Sequence, residues 1–171
     1  MAHRDNHYEA AFEDYLRAKG WPYVAVDEAK KAMFASVALK SFDFVVYSST
    51  GPNLIVDVKG RKFPSGGRGV KSKRTWENWI TRQDVEGLTQ WQEVFGSAFV
   101  AVLVFAYWFQ GPPQRSPFGD VHVFRQRHYA FLGIRLADYV AAARPRSAKW
   151  QTITVPAATF SRSATDFASF L

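Results

Sequence analysis

Asp57 and Lys59 stand two residues apart in Leu54-Ile55-Val56-Asp57-Val58-Lys59, a stretch that reads as a β-strand. Strand alternation turns both side chains to one face and Val56 and Val58 to the other. Asp43, flanked by Phe42 and Phe44, sits in a second strand-like run over 42–48, and Gly51-Pro52-Asn53 between the runs is a turn signal. A hairpin would bring Asp43 beside Asp57. Two close carboxylates in an apolar frame resist joint ionisation. A divalent cation removes that conflict, and Mg²⁺ (or Mn²⁺) suits it, taking one or two carboxylates and completing its shell with water and phosphate oxygens. The Lys59 ammonium beside such an ion could orient or help deprotonate a bound water, or stabilise charge developing at phosphorus. The acid-x-Lys spacing alone is a loose signal. Glu28-Ala29-Lys30 repeats it with no convincing hairpin or apolar frame, and the bland reading of Asp57 and Lys59 is an ion pair on an exposed sheet face.

The elements that would carry these residues follow from periodicity. Tyr8, Ala11, Phe12, Tyr15 and Leu16 recur at helical spacing over 8–19, and Gly20 before Trp21-Pro22 ends the helix. Residues 23–26 form a short strand, and 29–38 read as either a helical turn or an irregular link. The strand at 54–59 is followed by a helix over 84–95, with a start signal at Thr81 and Asp84, and then by a fully apolar strand over 99–107. That succession is a βαβ unit with parallel pairing and a right-handed crossover. The remainder, from Gly111-Pro112-Pro113 onward, carries strands at 121–125 and 129–134, a helix over 136–143 and a strand over 150–155. The 171 residues suit one domain, 1–171. Its core lies at about 7–108 and a C-terminal α/β extension at about 109–171. The fold class is α/β, a mixed central sheet flanked by helices.

Lys and Arg number 22 against 15 Asp and Glu, for a net charge of +7, which favours a polyanionic partner, nucleic acid before membrane. Seven of those cations and no acid fall between Lys59 and Arg74. Gly66, Gly67 and Gly69 loosen the segment, so it could close on a phosphate backbone; the bland alternative is a solvated loop. Arg61 and Lys62, nearest the strand, are the first candidates for phosphate contact, with Arg68, Lys71, Lys73 and Arg74 beyond them. No recognition helix or finger suggests base readout. The absence of cysteine excludes disulfide frameworks, thiolate zinc sites and cysteine nucleophiles, and fits a cytoplasmic location. The longest apolar run, twelve residues over 98–109, is too short to span a bilayer and reads as a buried strand. Trp76 and Trp79 read as core before stacking platforms; Trp91, Trp108 and Trp150 read as core too. His3 and His7 mimic a metal pair but have no third ligand in view, and His122 and His128 have no acidic neighbour in sequence. Neither a Ser-His-Asp arrangement nor a P-loop is present.

The runs Phe42-Asp43-Phe44-Val45-Val46 and Leu54-Ile55-Val56-Asp57-Val58-Lys59-Gly60-Arg61 together resemble the PD-(D/E)xK nuclease superfamily, and within it Holliday-junction-resolvase-like and small bacterial endonuclease-like members. Upstream, Glu9-Ala10-Ala11-Phe12-Glu13-Asp14-Tyr15-Leu16 through Gly20-Trp21 is similar to the first helix of that group. Trp79-Ile80, Val85, Leu88, Phe95 and Gly96 are similar to its second-helix region. The resemblance covers about 8–107. Phe42 stands where the motif has proline, Asp57 where glutamate is more frequent, and Asp84 where the second helix often carries glutamine.

The resemblance implies a restriction-endonuclease-like fold and a metal-dependent DNA endonuclease. Asp43 and Asp57 would hold Mg²⁺ or Mn²⁺, Lys59 would act on the attacking water, and Glu9 would reach the site from the first helix, with Glu13 as its substitute one turn later. It also implies DNA as the partner, branched or single-stranded forms included, no membrane, and by analogy with resolvases a homodimer. Two other classes stay open: a nucleic-acid-binding module of the same fold that does not cleave, and a structural or assembly protein that uses the aromatic-rich final third as an interface.

Overall fold

The structure is a computed structural model that describes residues 6–26, 40–63, 76–111 and 118–171. Arg68, Lys71, Lys73 and Arg74 of the basic segment, His3, the Glu28-Ala29-Lys30 triplet and the 29–38 link lie outside the described residues.

Helix α1 (His7–Lys19) starts where the Asn6 side chain accepts the Tyr8 N–H at 3.0 Å and stops at Gly20, whose φ of 70° is left-handed. Strands β1 (Tyr23–Ala25), β2 (Phe44–Val46) and β3 (Asn53–Phe63) follow, then β4 (Ile80–Thr81), helix α2 (Arg82–Phe95) and β5 (Phe99–Phe109). The expected hairpin is present: β2 pairs antiparallel with β3, Phe44 opposite Val56. The expected βαβ unit is present as well, with β3 and β5 parallel in continuous register from Asn53 opposite Phe99 to Phe63 opposite Phe109. β3 runs four residues past the expected strand end, so the start of the basic segment, through Phe63, is sheet.

The final part adds β6 (His122–Phe124), β7 (Arg127–Arg135), α3 (Leu136–Ala142), β8 (Arg144–Ser147), β9 (Thr152–Thr154), α4 (Ala157–Ser163), β10 (Thr165–Asp166) and a 3₁₀ turn (Phe167–Phe170). The main sheet has the order β1-β2-β3-β5-β7-β10, with β6 on β7, and is mixed. A three-stranded sheet, β4-β9-β8, lies apart from it. Asn78 ties the flanks of the small sheet to α3: it is buried, and its amide bonds the carbonyl and N–H of Val155 at 3.0 and 2.8 Å while Tyr139 Oη donates to its backbone carbonyl at 2.7 Å.

Strand alternation divides the core. Phe44, Val46, Leu54, Val56, Val58, Val102 and Val104 face α1, through Phe12 and Leu16, and the C-terminal turn, through Phe167. Ile55, Phe63, Leu103, Phe105, Tyr107, Leu132 and Ile134 face the other way, onto Leu88 of α2, Leu136 and Tyr139 of α3 and Phe160 of α4. Trp76, Trp91 and Trp108 pack against these cores as expected. Trp150 corrects the reading: it is 68% exposed, because the strand expected from residue 150 begins only at Thr152 and leaves the indole in the turn before it. His122 also finds the acid that its sequence neighbourhood lacks, with Nε2 2.8 Å from Asp14 Oδ2 on α1. Among the described residues no helix is long and apolar enough to cross a membrane.

One glycine fixes how closely α1 approaches the sheet. A Cβ on Gly60 of β3 would lie 2.2 Å from the Tyr8 ring. Gly60→Ala is therefore expected to cost about 1–3 kcal/mol by overpacking, and Tyr8→Ala in the same chain to recover part of it; urea unfolding of the single and double variants measures both.

Candidate active site

Asp57 and Lys59 lie on the α2 face of β3, opposite Leu103 and Phe105 of β5. Asp43 lies one step beyond the Phe44–Val56 pair, with its own N–H on the Val56 carbonyl at 2.9 Å. Its Oδ2 accepts the Val58 N–H at 2.7 Å, so the Asp43 side chain continues the ladder that β2 has just ended. Both carboxylates are buried, Asp43 at 5% exposure and Asp57 at 6%. Asp57 Oδ2 is shut off from solvent, and the Lys59 Nζ stands 2.6 Å from it as an ion pair. The same ammonium bonds Asp84 Oδ1 on α2 at 2.9 Å.

Asp84 is the residue that sequence reasoning left out of the site. It was legible as a helix-start signal and as the second-helix position where the resembled superfamily often has glutamine, and it fills the first role: Asp84 Oδ2 accepts from the Thr81 N–H at 2.7 Å and from Thr81 Oγ1 at 2.8 Å, while the Asp84 N–H returns to Thr81 Oγ1 at 3.1 Å. Its other oxygen is left to the cations Lys59 and Lys40. Lys40 is held by close packing: a Cβ on Gly87 would meet the Lys40 carbonyl at 2.8 Å, and Trp91 Nε1 donates to that carbonyl at 3.0 Å. Only the long-range pairing of 40 with 84 reveals this, and no local pattern encodes it.

The electrostatics follow from burial and pairing. Burial pushes the Asp57 carboxyl up, Lys59 opposes it and the nearby Asp43 adds to it, for a net rise to about 7. For Lys59 burial favours the neutral amine, but Asp57 and Asp84 outweigh it and the ammonium is held above the ordinary lysine range. For Asp84 burial favours the neutral acid, and Lys59, Lys40 and the Thr81 amide outweigh that, so its carboxyl lies well below the usual carboxylate range.

Glu9 is not part of this group. It lies in the first turn of α1, on the opposite sheet face, with Oε1 accepting from Asn6 Nδ2 at 2.8 Å. Among the described residues no three His, Cys, Asp or Glu side chains gather to hold a metal ion. Two carboxylates and an ammonium come together, and the third acid at the ammonium is Asp84. The pair still suits a hard cation: Asp57 Oδ2 is buried with the Lys59 ammonium as its one charged neighbour there, and Mg²⁺ commonly takes only one or two carboxylates. Arg61 turns inward. Its Nη1 bonds the Gly60 carbonyl at 2.7 Å, its Nη2 bonds the Trp79 carbonyl, and the guanidinium stacks 4.3 Å from the Trp79 ring centre. Lys62 is exposed on the other face, 5.6 Å from the ring centre of Trp108.

Element order, mixed sheet and flanking helices make this a restriction-endonuclease-like α/β fold. Among solved structures it is similar to the 1.6 Å structure of Hjc, a Holliday junction resolvase from the archaeal hyperthermophile Archaeoglobus fulgidus, with a TM-score of 0.56 and 13% identity over 96% of this chain and 97% of that one. At that identity the likeness is one of fold. It extends through the final third, for which the sequence offered no counterpart. No known family profile matches the chain, and no curated protein does.

The raised Asp57 carboxyl sets a direction for stability. A group whose pKa is higher folded than unfolded contributes fully below its unfolded value, 3.8, and that contribution is lost as pH rises through about 7. Asp57→Asn is therefore expected to flatten the fall in Tm between about pH 4 and pH 8, read by thermal melts across that range. Asp84→Ala removes half of the capping box and leaves Lys59 with Asp57 alone, while the half-exposed Lys40 turns to water; it is expected to cost about 1–3 kcal/mol in urea unfolding.

Proposed function

We propose that this chain is a divalent-metal-dependent endonuclease that hydrolyses phosphodiester bonds in DNA. The observation that carries the reading is the buried Asp43–Asp57 pair with the Lys59 ammonium beside it, at adjoining strands of a fold shared with a junction resolvase. Asp43 and Asp57 would hold one Mg²⁺ or Mn²⁺. Such an ion supplies Lewis acidity, lowering the pKa of water and drawing charge off phosphate oxygens. Lys59 is the positioned donor: its ammonium, steadied by Asp84, can orient the attacking water or bond a non-bridging phosphate oxygen as charge grows there. Asp84 itself serves as a positioning residue, and Lys40 balances its charge. The net charge of +7 fits a polyanionic substrate. Glu9, across the sheet, is left without a step in the hydrolysis. A homodimer is part of the proposal by analogy with resolvases.

The Lys59 ammonium, 2.6 Å from the Asp57 oxygen that an ion would take, supports a second reading, a module of the same fold that binds nucleic acid without cutting it. A cleavage panel of linear duplex, single-stranded and four-way-junction DNA, with Mg²⁺, with Mn²⁺ and with chelator, separates the two. The endonuclease reading expects metal-dependent nicking by the wild type and a loss of at least about 100-fold in Asp57→Asn, with DNA binding retained. Wild type that binds all three substrates and cuts none of them under any metal supports the module.

A further inference from the structure

The β6–β7 hairpin turns on Arg125 and Gln126, both at positive φ, 47° and 62°. Two consecutive left-handed residues suit a tight hairpin, and Asn-Gly is the sequence that takes that shape with least strain. Here the strained positions carry an arginine and a glutamine, with a second arginine, Arg127, directly after. No acid occurs between residues 121 and 137.

The tip is not a loose cluster of charge. Lys62 pairs with Trp108 and Trp108 with Tyr129, so three strands align these side chains in one row on the α1 face of the sheet. The Arg127 guanidinium lies 4.7 Å from the Trp108 ring centre and the Lys62 ammonium 5.6 Å from it, so one indole steadies two cations. His7 sets its edge against the same indole at 5.3 Å and bonds Tyr129 Oη through Nδ1 at 2.8 Å. Lys62, Arg125 and Arg127 are exposed, and among the described residues none of the three forms an ion pair. Burial, then Arg127 and Lys62, hold His7 below the ordinary histidine range, as expected where positive potential concentrates.

We propose that Lys62 and Arg127, braced on Trp108, and Arg125, set 5.0 Å over the Phe124 ring, grip the phosphodiester backbone of a nucleic acid on the sheet face opposite Asp57 and Lys59. Long basic side chains lose less freedom on binding when a ring already holds them, which is the use of the indole. Lys62 is three residues along β3 from Lys59, about 10 Å at strand rise, so a backbone crossing the ends of β3 and β5 reaches both faces. This deepens the nucleic-acid reading and rests on it, but does not depend on cleavage.

The test measures binding of fluorescein-labelled duplex and four-way-junction DNA by anisotropy in chelator, over a series of salt concentrations. The Arg125→Gln/Arg127→Gln variant is compared with Arg135→Gln/Arg162→Gln, which removes the same charge from exposed positions away from the hairpin tip. The hairpin pair is expected to weaken binding at least about tenfold and to lower the salt slope by about two, the control pair to change affinity within about twofold. Lys62→Gln, away from the strained turn, provides a second variant and should lower the slope by about one. Equal losses in hairpin and control pairs overturn the assignment, as does wild type that binds no DNA, which also removes the nucleic-acid reading. Wild type that binds with the predicted pattern yet never cuts supports this surface and removes only the hydrolase. Loss of binding to phosphatidylserine vesicles in the hairpin variants with DNA binding unchanged overturns it in favour of a membrane surface.

Discussion

A single ammonium group organises the centre of this molecule. Lys59 sits between Asp57 on its own strand and Asp84 on α2, so one positive charge answers two buried carboxylates in an otherwise apolar sheet. Burying such charges is tolerable only when each is paired and hydrogen-bonded. The pairing also fixes the helix. Asp84 uses one oxygen to cap α2 and the other to meet Lys59 and Lys40, so the position of the helix start and the position of the ammonium are one constraint. A change at Asp84 therefore acts on both fold and site.

The main sheet then separates tasks by face. Odd-numbered residues of β3 carry Asp57, Lys59 and the inward-turned Arg61 toward α2. Even-numbered ones carry Val56, Val58, Gly60 and Lys62 toward α1 and the basic hairpin. Gly60 is the point where the division becomes structural, since only a residue without a side chain lets Tyr8 lie over the strand directly behind the candidate site. Gly133 does the same at the other end of the face, where a Cβ would lie 2.6 Å from the Phe170 ring.

Much of this was legible in the sequence. The helical spacing of α1, the turn at Gly51-Pro52-Asn53 and the apolar run of β5 each encode their element locally, and the strand period alone puts Asp57 and Lys59 on one face. The resemblance to the nuclease superfamily led to the fold that the structure has. What failed was what depends on distance in sequence. Nothing local tells that Asp84 faces Lys59, that Lys40 joins it, that Asp14 meets His122, or that α1 approaches from the face away from Asp57 and so keeps Glu9 apart from the pair. Arg61 misled for a related reason: its place next to a basic run suggested solvent, yet odd parity on β3 sends it under Trp79. Trp150 misled in the opposite sense, an aromatic that falls in the exposed turn before β9 and not in the strand.

The account stands or falls on whether Asp43 and Asp57 together take up a hard cation. A crystal grown with Mn²⁺ and measured for anomalous scattering tests this directly. The account predicts an anomalous peak in contact with a carboxylate oxygen of each residue, with Lys59 moved off Asp57 and still bonded to Asp84. A map with no peak between the two carboxylates and Lys59 still against Asp57, at a Mn²⁺ concentration that saturates known magnesium nucleases, would contradict it.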